Sequence, residues 1–190
     1  MTVCALAISA NAVSFIWGST GKISFGATVM DTASMQATAY LVLLGTTGSA
    51  TTWTDALVGN LTDGSISESD YVSTCLTRTT GAPANRGAYA ASYYLALNQN
   101  YSYGVFMTYT DGDGKAWFNF SSDIFTVDPS LEDNAVGIEP SFSHLATTGT
   151  ISGDFTVANS VGKGWVAVPE PSVGLLALAG IGMLIRRKRA

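Results

Sequence analysis

Asp111-Gly112-Asp113-Gly114 places two carboxylates around glycine, the pattern here that most resembles a metal-ligand set. Calcium takes oxygen ligands from flexible turns, so Asp111 and Asp113 are weak candidates for a Ca²⁺ site. The full helix-loop-helix calcium pattern is missing, because Lys115 stands at the fifth loop position and no Glu at the twelfth. The same four residues are a strong turn signal, since Gly tolerates positive φ, and a hairpin without metal is the main expectation. No other cofactor is expected.

Catalytic chemistry finds few carriers. His144 is the single histidine, and no G-x-S-x-G elbow accompanies it, so a Ser-His-Asp triad has no support. Zinc sites need several His, Cys or carboxylate ligands, and neither Cys-x-x-Cys nor H-E-x-x-H occurs. A carboxylate pair could serve a glycosidase, but pairing is not readable from one sequence. No catalytic residue is nominated, and the chain is expected not to be an enzyme. Cys4 lies in a segment expected to be removed, which leaves Cys75 alone as a small buried thiol. Tyr93, Tyr101, Tyr103 and Tyr109 could form a sugar-stacking face if one strand face is exposed, although alternating aromatics more often point into a core. Three N-x-S/T sequons, at Asn60, Asn100 and Asn119, are unsurprising in a chain this rich in Ser and Thr and receive no role.

The elements that must position these residues read as β. In the body the apolar period is two rather than 3.6. Residues 36–44 form a strand bounded by Gly45 and Gly48, while 101–109 and 116–120 flank the Asp-Gly turn as a hairpin rich in aromatics. Residues 124–127 should continue that sheet until Pro129. Residues 89–97 read as a strand with a short helix as competitor, and shorter strand candidates lie at 23–29, 71–77, 150–156 and 164–168. Residues 52–58 could give one or two helical turns. Short connections favour antiparallel neighbours. The expected fold is all-β: an antiparallel β-sandwich or barrel-like sheet of about seven to ten strands, with a C-terminal hydrophobic helix. Trp117 and Phe118 should anchor its core. Residues 129–140 read as an acidic loop, and 158–163 as the polar approach to the tail.

Charge divides the chain. Only 12% of its 190 residues are charged, while 47% are apolar, enough to build a core and to exclude disorder by charge. From 13 to 169 there are five basic and thirteen acidic residues, a net of −8, whereas 170–190 carries four cations and one acid, a net of +3. An acidic body without a basic stripe does not suit nucleic acid. At the N-terminus a short apolar run ends in Ala10-Asn11-Ala12, an A-x-A cleavage pattern, so residues 1–12 are expected to be a secretory signal peptide. That run is short, and no Lys or Arg precedes it.

The C-terminal stretch is more specific. Val168-Pro169-Glu170-Pro171-Ser172 precedes a 13-residue uncharged run, Val173 to Ile185, followed by Arg186, Arg187, Lys188 and Arg189. The prolines hold an extended approach. The run spans only about 20 Å as a helix against about 30 Å of hydrocarbon, a mismatch that snorkelling cations and local thinning absorb. It has no polar stripe, so it is expected in lipid, and the positive-inside rule keeps the basic cluster cytoplasmic and the body across the membrane.

Pro169-Glu170-Pro171, the apolar run and the basic cluster together resemble a PEP-CTERM sorting signal, over about the last two dozen residues. The resemblance implies recognition by a membrane-embedded exosortase after passage through the secretion translocon. It also implies removal of the helix and basic tip, and delivery to the cell surface or extracellular matrix, often alongside exopolysaccharide. The expected organisation is a signal peptide (1–12), an extracellular β domain (13–166) and a sorting tail (167–190). The expected function is that of an exported, non-enzymatic surface or matrix protein. The alternative is a carbohydrate-binding module acting on exopolysaccharide.

Overall fold

A computed structural model describes residues 12–19, 21–46, 52–62, 66–96, 101–127, 149–150 and 155–168. The segment expected to be a signal peptide, through residue 11 with Cys4, His144, the Pro169-Glu170-Pro171 motif, the apolar run and the basic cluster lie outside them. Among the described residues no helix is long and apolar enough to cross a membrane.

Among the described residues the regular structure is mostly strand, in sheets that are antiparallel with one exception. The main sheet is built on β4 (Thr38–Thr46) and β7 (Tyr101–Thr110), paired from Thr38↔Thr108 to Thr46↔Tyr101 with a register shift between Leu43 and Gly45. β5 (Ser73–Leu76) flanks β4. On its other edge β7 pairs first with β8 (Ala116–Phe120) and then with β9 (Phe125–Val127), so residues 124–127 continue the sheet as expected. β11 (Val166–Ala167) lies antiparallel on β8, and β10 (Gly149–Thr150) lies parallel on β11, the exception.

A second, two-stranded ribbon joins β1 (Ala12–Gly18) to β6 (Ala90–Ala96), which settles 89–97 in favour of strand over helix. The main sheet reaches this ribbon round a corner. Arg78 N–H donates to the Ala88 carbonyl and Gly87 N–H to the Arg78 carbonyl, at 2.8 and 2.7 Å, so the chain leaving β5 pairs with the chain entering β6. The candidate strand 23–29 is a miniature hairpin, β2 (Ser24–Phe25) with β3 (Thr28–Val29).

Both faces of the main sheet are covered, which is why six successive residues of β7, Ser102 to Met107, are buried rather than alternating. One face presents Ala39, Leu41, Tyr103, Val105, Met107, Tyr109 and Trp117 to Trp17, Tyr89 and Trp165. The opposite face presents Val42, Phe106, Phe118 and Phe120 to Trp53, Val58 and Leu61. Trp117 and Phe118, adjacent on β8, therefore anchor the two cores separately, each aromatic contributing roughly 1.5–3 kcal/mol by burial. The second cover is α1 (Asp55–Thr62), two turns where one or two were expected over 52–58. Thr54 Oγ1 accepts the Leu57 N–H at 3.2 Å as its cap, and Val58 and Leu61 share the buried stripe.

Residues 158–163, expected as the polar approach to the tail, are packed onto the sheet. They hold most of a one-turn helix, α2 (Val157–Ser160), in which Ser160 is buried, and Gly162 N–H donates to the Phe120 carbonyl. Phe155, Val157 and Val161 join the second core, and this packing overrides the polar composition.

Candidate functional site

Two places carry residues singled out by the sequence: the Asp-Gly hairpin, and the end of β11, which precedes residue 169. They are neighbours, because β11 lies against β8.

The hairpin between β7 and β8 closes in a three-residue loop. Gly114 N–H donates to the Asp111 carbonyl and Asp111 N–H to the Lys115 carbonyl, both at 3.0 Å. Gly114 sits at φ +81°, the left-handed position that a type I turn with a bulge requires and where glycine is unstrained. The Asp111 carboxylate organises the loop. Oδ1 accepts the N–H groups of Asp113 and Lys115 at 3.0 and 2.9 Å, and Oδ2 accepts Trp117 Nε1–H at 2.8 Å. These donors hold its carboxyl below the usual value, the Trp117 bond contributing most. Lys115 Nζ stands 5.2 Å from the Trp117 ring centroid. The aspartate thus has a structural task as a turn acceptor, while Asp113 is exposed at the tip. Among the described residues no three His, Cys, Asp or Glu side chains gather into a metal-sized group.

The departing strand is part of the sheet. Val166 faces Phe118, Ala167 faces Trp117, and Val168 N–H donates to the Ala116 carbonyl at 3.0 Å. Trp165, Val166 and Ala167 are buried, and Trp165 Nε1–H donates to the Ser24 carbonyl at 2.8 Å. Regular pairing therefore continues to the residue before Pro169, which has no N–H with which to extend it.

The four candidate tyrosines form no exposed row. Tyr103 and Tyr109 are buried, while Tyr93 and Tyr101 are half-buried against the same core. Tyr101 stacks on Tyr103 at 6.2 Å, and Tyr93 meets Tyr103 edge-on at 6.3 Å. Burial raises the hydroxyl pKa of Tyr103, and the neighbouring Tyr93 and Tyr101 raise it further. Cys75 is likewise partly buried, and desolvation pushes its thiol up to about 12 against the opposing pull of Arg78. The Asn119 sequon is enclosed, with Asn119 and Ser121 both buried.

Ser121 is a polar position that sequence reading missed. Where β8 gives way to β9, its Oγ accepts Val105 N–H at 3.0 Å and donates to the Asp123 carbonyl at 2.9 Å, while its carbonyl accepts Trp53 Nε1–H at 3.0 Å. The only signal for it was a Ser-Ser pair, Ser121 and Ser122, directly after an aromatic strand. No family model, curated protein or solved structure matches the chain.

Proposed function

We propose that this is an exported cell-surface or extracellular-matrix protein, held briefly in the membrane by its C-terminal tail and released from it by an exosortase. The observation that carries the reading is the ordered series Pro169-Glu170-Pro171, uncharged run, Arg186-Arg187-Lys188-Arg189. In this reading a hydrophobic C-terminal helix enters lipid, the cations stay on the cytoplasmic side, and the acidic body stands on the other. The run is short for a permanent span, which suits an anchor meant to be cut away.

The folded body adds support at its boundary. Pairing reaches Val168, so the folded body extends to the residue before the motif, whose prolines have no N–H to donate to a ladder. At the other end β1 starts at Ala12, so removal of the signal peptide at the A-x-A pattern would leave Val13 onward to pair with β6. The body acts as a non-enzymatic structural domain, with Asp111 serving its hairpin.

Replacing Pro169, Glu170 and Pro171 together by alanine tests this in the producing cell. The β body should fold and be exported, yet stay in the envelope fraction. Release equal to that of the unaltered chain would overturn the reading.

A further inference from the structure

Strand register fixes which residues share the end of the sheet where the tail departs. Thr110 faces Ala116, and Val168 is bonded to Ala116. Thr38 faces both Thr108 and Leu76, and one step further out Thr77 N–H donates to the Ala37 carbonyl. Arg78 therefore stands at the same end as Thr110, Ala116 and Val168. Its backbone bonds to Gly87 and Ala88 send the exposed loop between them beyond this end, carrying Arg86, while Ile23 N–H donates to the Gly87 carbonyl and brings Lys22 alongside. Lys115 lies in the adjoining hairpin.

Four of the body's five cations are thus at one end. Among the described residues the acids there are Asp111 and Asp113 in the hairpin and Asp31 on the segment leading into β4, a net of +1 for four cations against three acids. The remaining described charges are Lys163 against Asp55, Glu68, Asp70 and Asp123. A body with an acidic excess turns its cationic end toward the point where the tail leaves.

We propose that this end is a membrane-facing surface, with Lys22, Arg78, Arg86 and Lys115 seated on anionic phospholipid headgroups. The proposal rests on the anchored reading above. Five Cα steps separate Val168 from Val173, a reach of at most roughly 18 Å. With the apolar run in lipid, the cationic end stays close to the headgroups, where the field of an anionic surface decays over about 8–10 Å. Each basic side chain near such a surface strengthens association about fivefold. The bilayer thereby orients the body before release.

The test uses the full chain with vesicles of phosphatidylcholine alone, or with about one-third phosphatidylglycerol. Flotation with neutral vesicles reports tail insertion, and amide exchange reports the surface. In anionic vesicles at low salt, exchange at 78–88 and 111–116 should slow at least about threefold relative to neutral vesicles, with 66–70 unchanged. R78Q/R86Q, or salt near 1 M, where screening falls to about 3 Å, should remove most of that slowing.

Flotation with both vesicles but no selective slowing overturns this proposal and leaves the anchor standing. Flotation with anionic vesicles alone, with selective slowing, keeps the surface and removes the anchor. Flotation with neither removes both. Equal slowing in neutral vesicles on adding a soluble acidic polysaccharide would assign the surface to that polymer and overturn the membrane assignment.

Discussion

Single residues do two separable jobs here, and each has its own titration. The Asp111 carboxyl is lowered from its ordinary 3.8 by the donors it accepts, so the folded state binds its proton less tightly than the unfolded state. Its contribution is therefore present above about pH 4 and is lost as pH falls through the folded value. Asp111→Asn should melt lower than the parent at neutral pH, and the gap should narrow as the pH falls below the ordinary 3.8. Thermal melts across that range check it, and a constant gap would contradict it. Cys75 behaves oppositely. With its thiol pushed up to about 12 by desolvation, Cys75 stays protonated at pH 8. Peptide-resolved labelling with iodoacetamide should leave Cys75 unmodified in the folded protein and modify it in denaturant. The Asp111 turn was legible from glycine spacing, but the capture of Trp117 Nε1 was not, because it needs β8 folded back beside β7.

At the scale of elements, Trp53, two residues before α1, meets β7 closely at Gly104. A Cβ on Gly104 would fall inside the Trp53 indole, so this glycine provides room for the ring. Gly104→Ala should destabilise by about 1–3 kcal/mol through overpacking, read as a lower urea midpoint with unchanged slope. Ser121→Ala leaves the Val105 N–H and Asp123 carbonyl without their shared hydroxyl and should cost about 1–3 kcal/mol. Both positions show where sequence reading stopped. The hairpin of β7 and β8 was legible because two aromatic runs flank one turn. The full length of α1 was not, since Gly59 and Asn60 are poor helix formers and only burial of Val58 and Leu61 carries the helix past them. The segment at 158–163 read only as a polar approach to the tail because its residues give no hint of the aromatic sheet they cover.

For the molecule as a whole, a central sheet with a ribbon on one face and a short helix on the other yields a body whose last described strand lies two residues before Pro169-Glu170-Pro171 in the sequence. Strand content followed from period-two patterning. The corner from β5 to β6 did not, because backbone bonds between Arg78, Gly87 and Ala88 leave no trace in hydropathy. The most direct test of the account is the intact mass of the protein collected from the cell surface or medium of its natural producer. The mature chain should begin near Val13 and end near the Pro169-Glu170-Pro171 motif, without the apolar run or Arg186, Arg187, Lys188 and Arg189. A full-length mass, 19.8 kDa, recovered from the cytosol would contradict it.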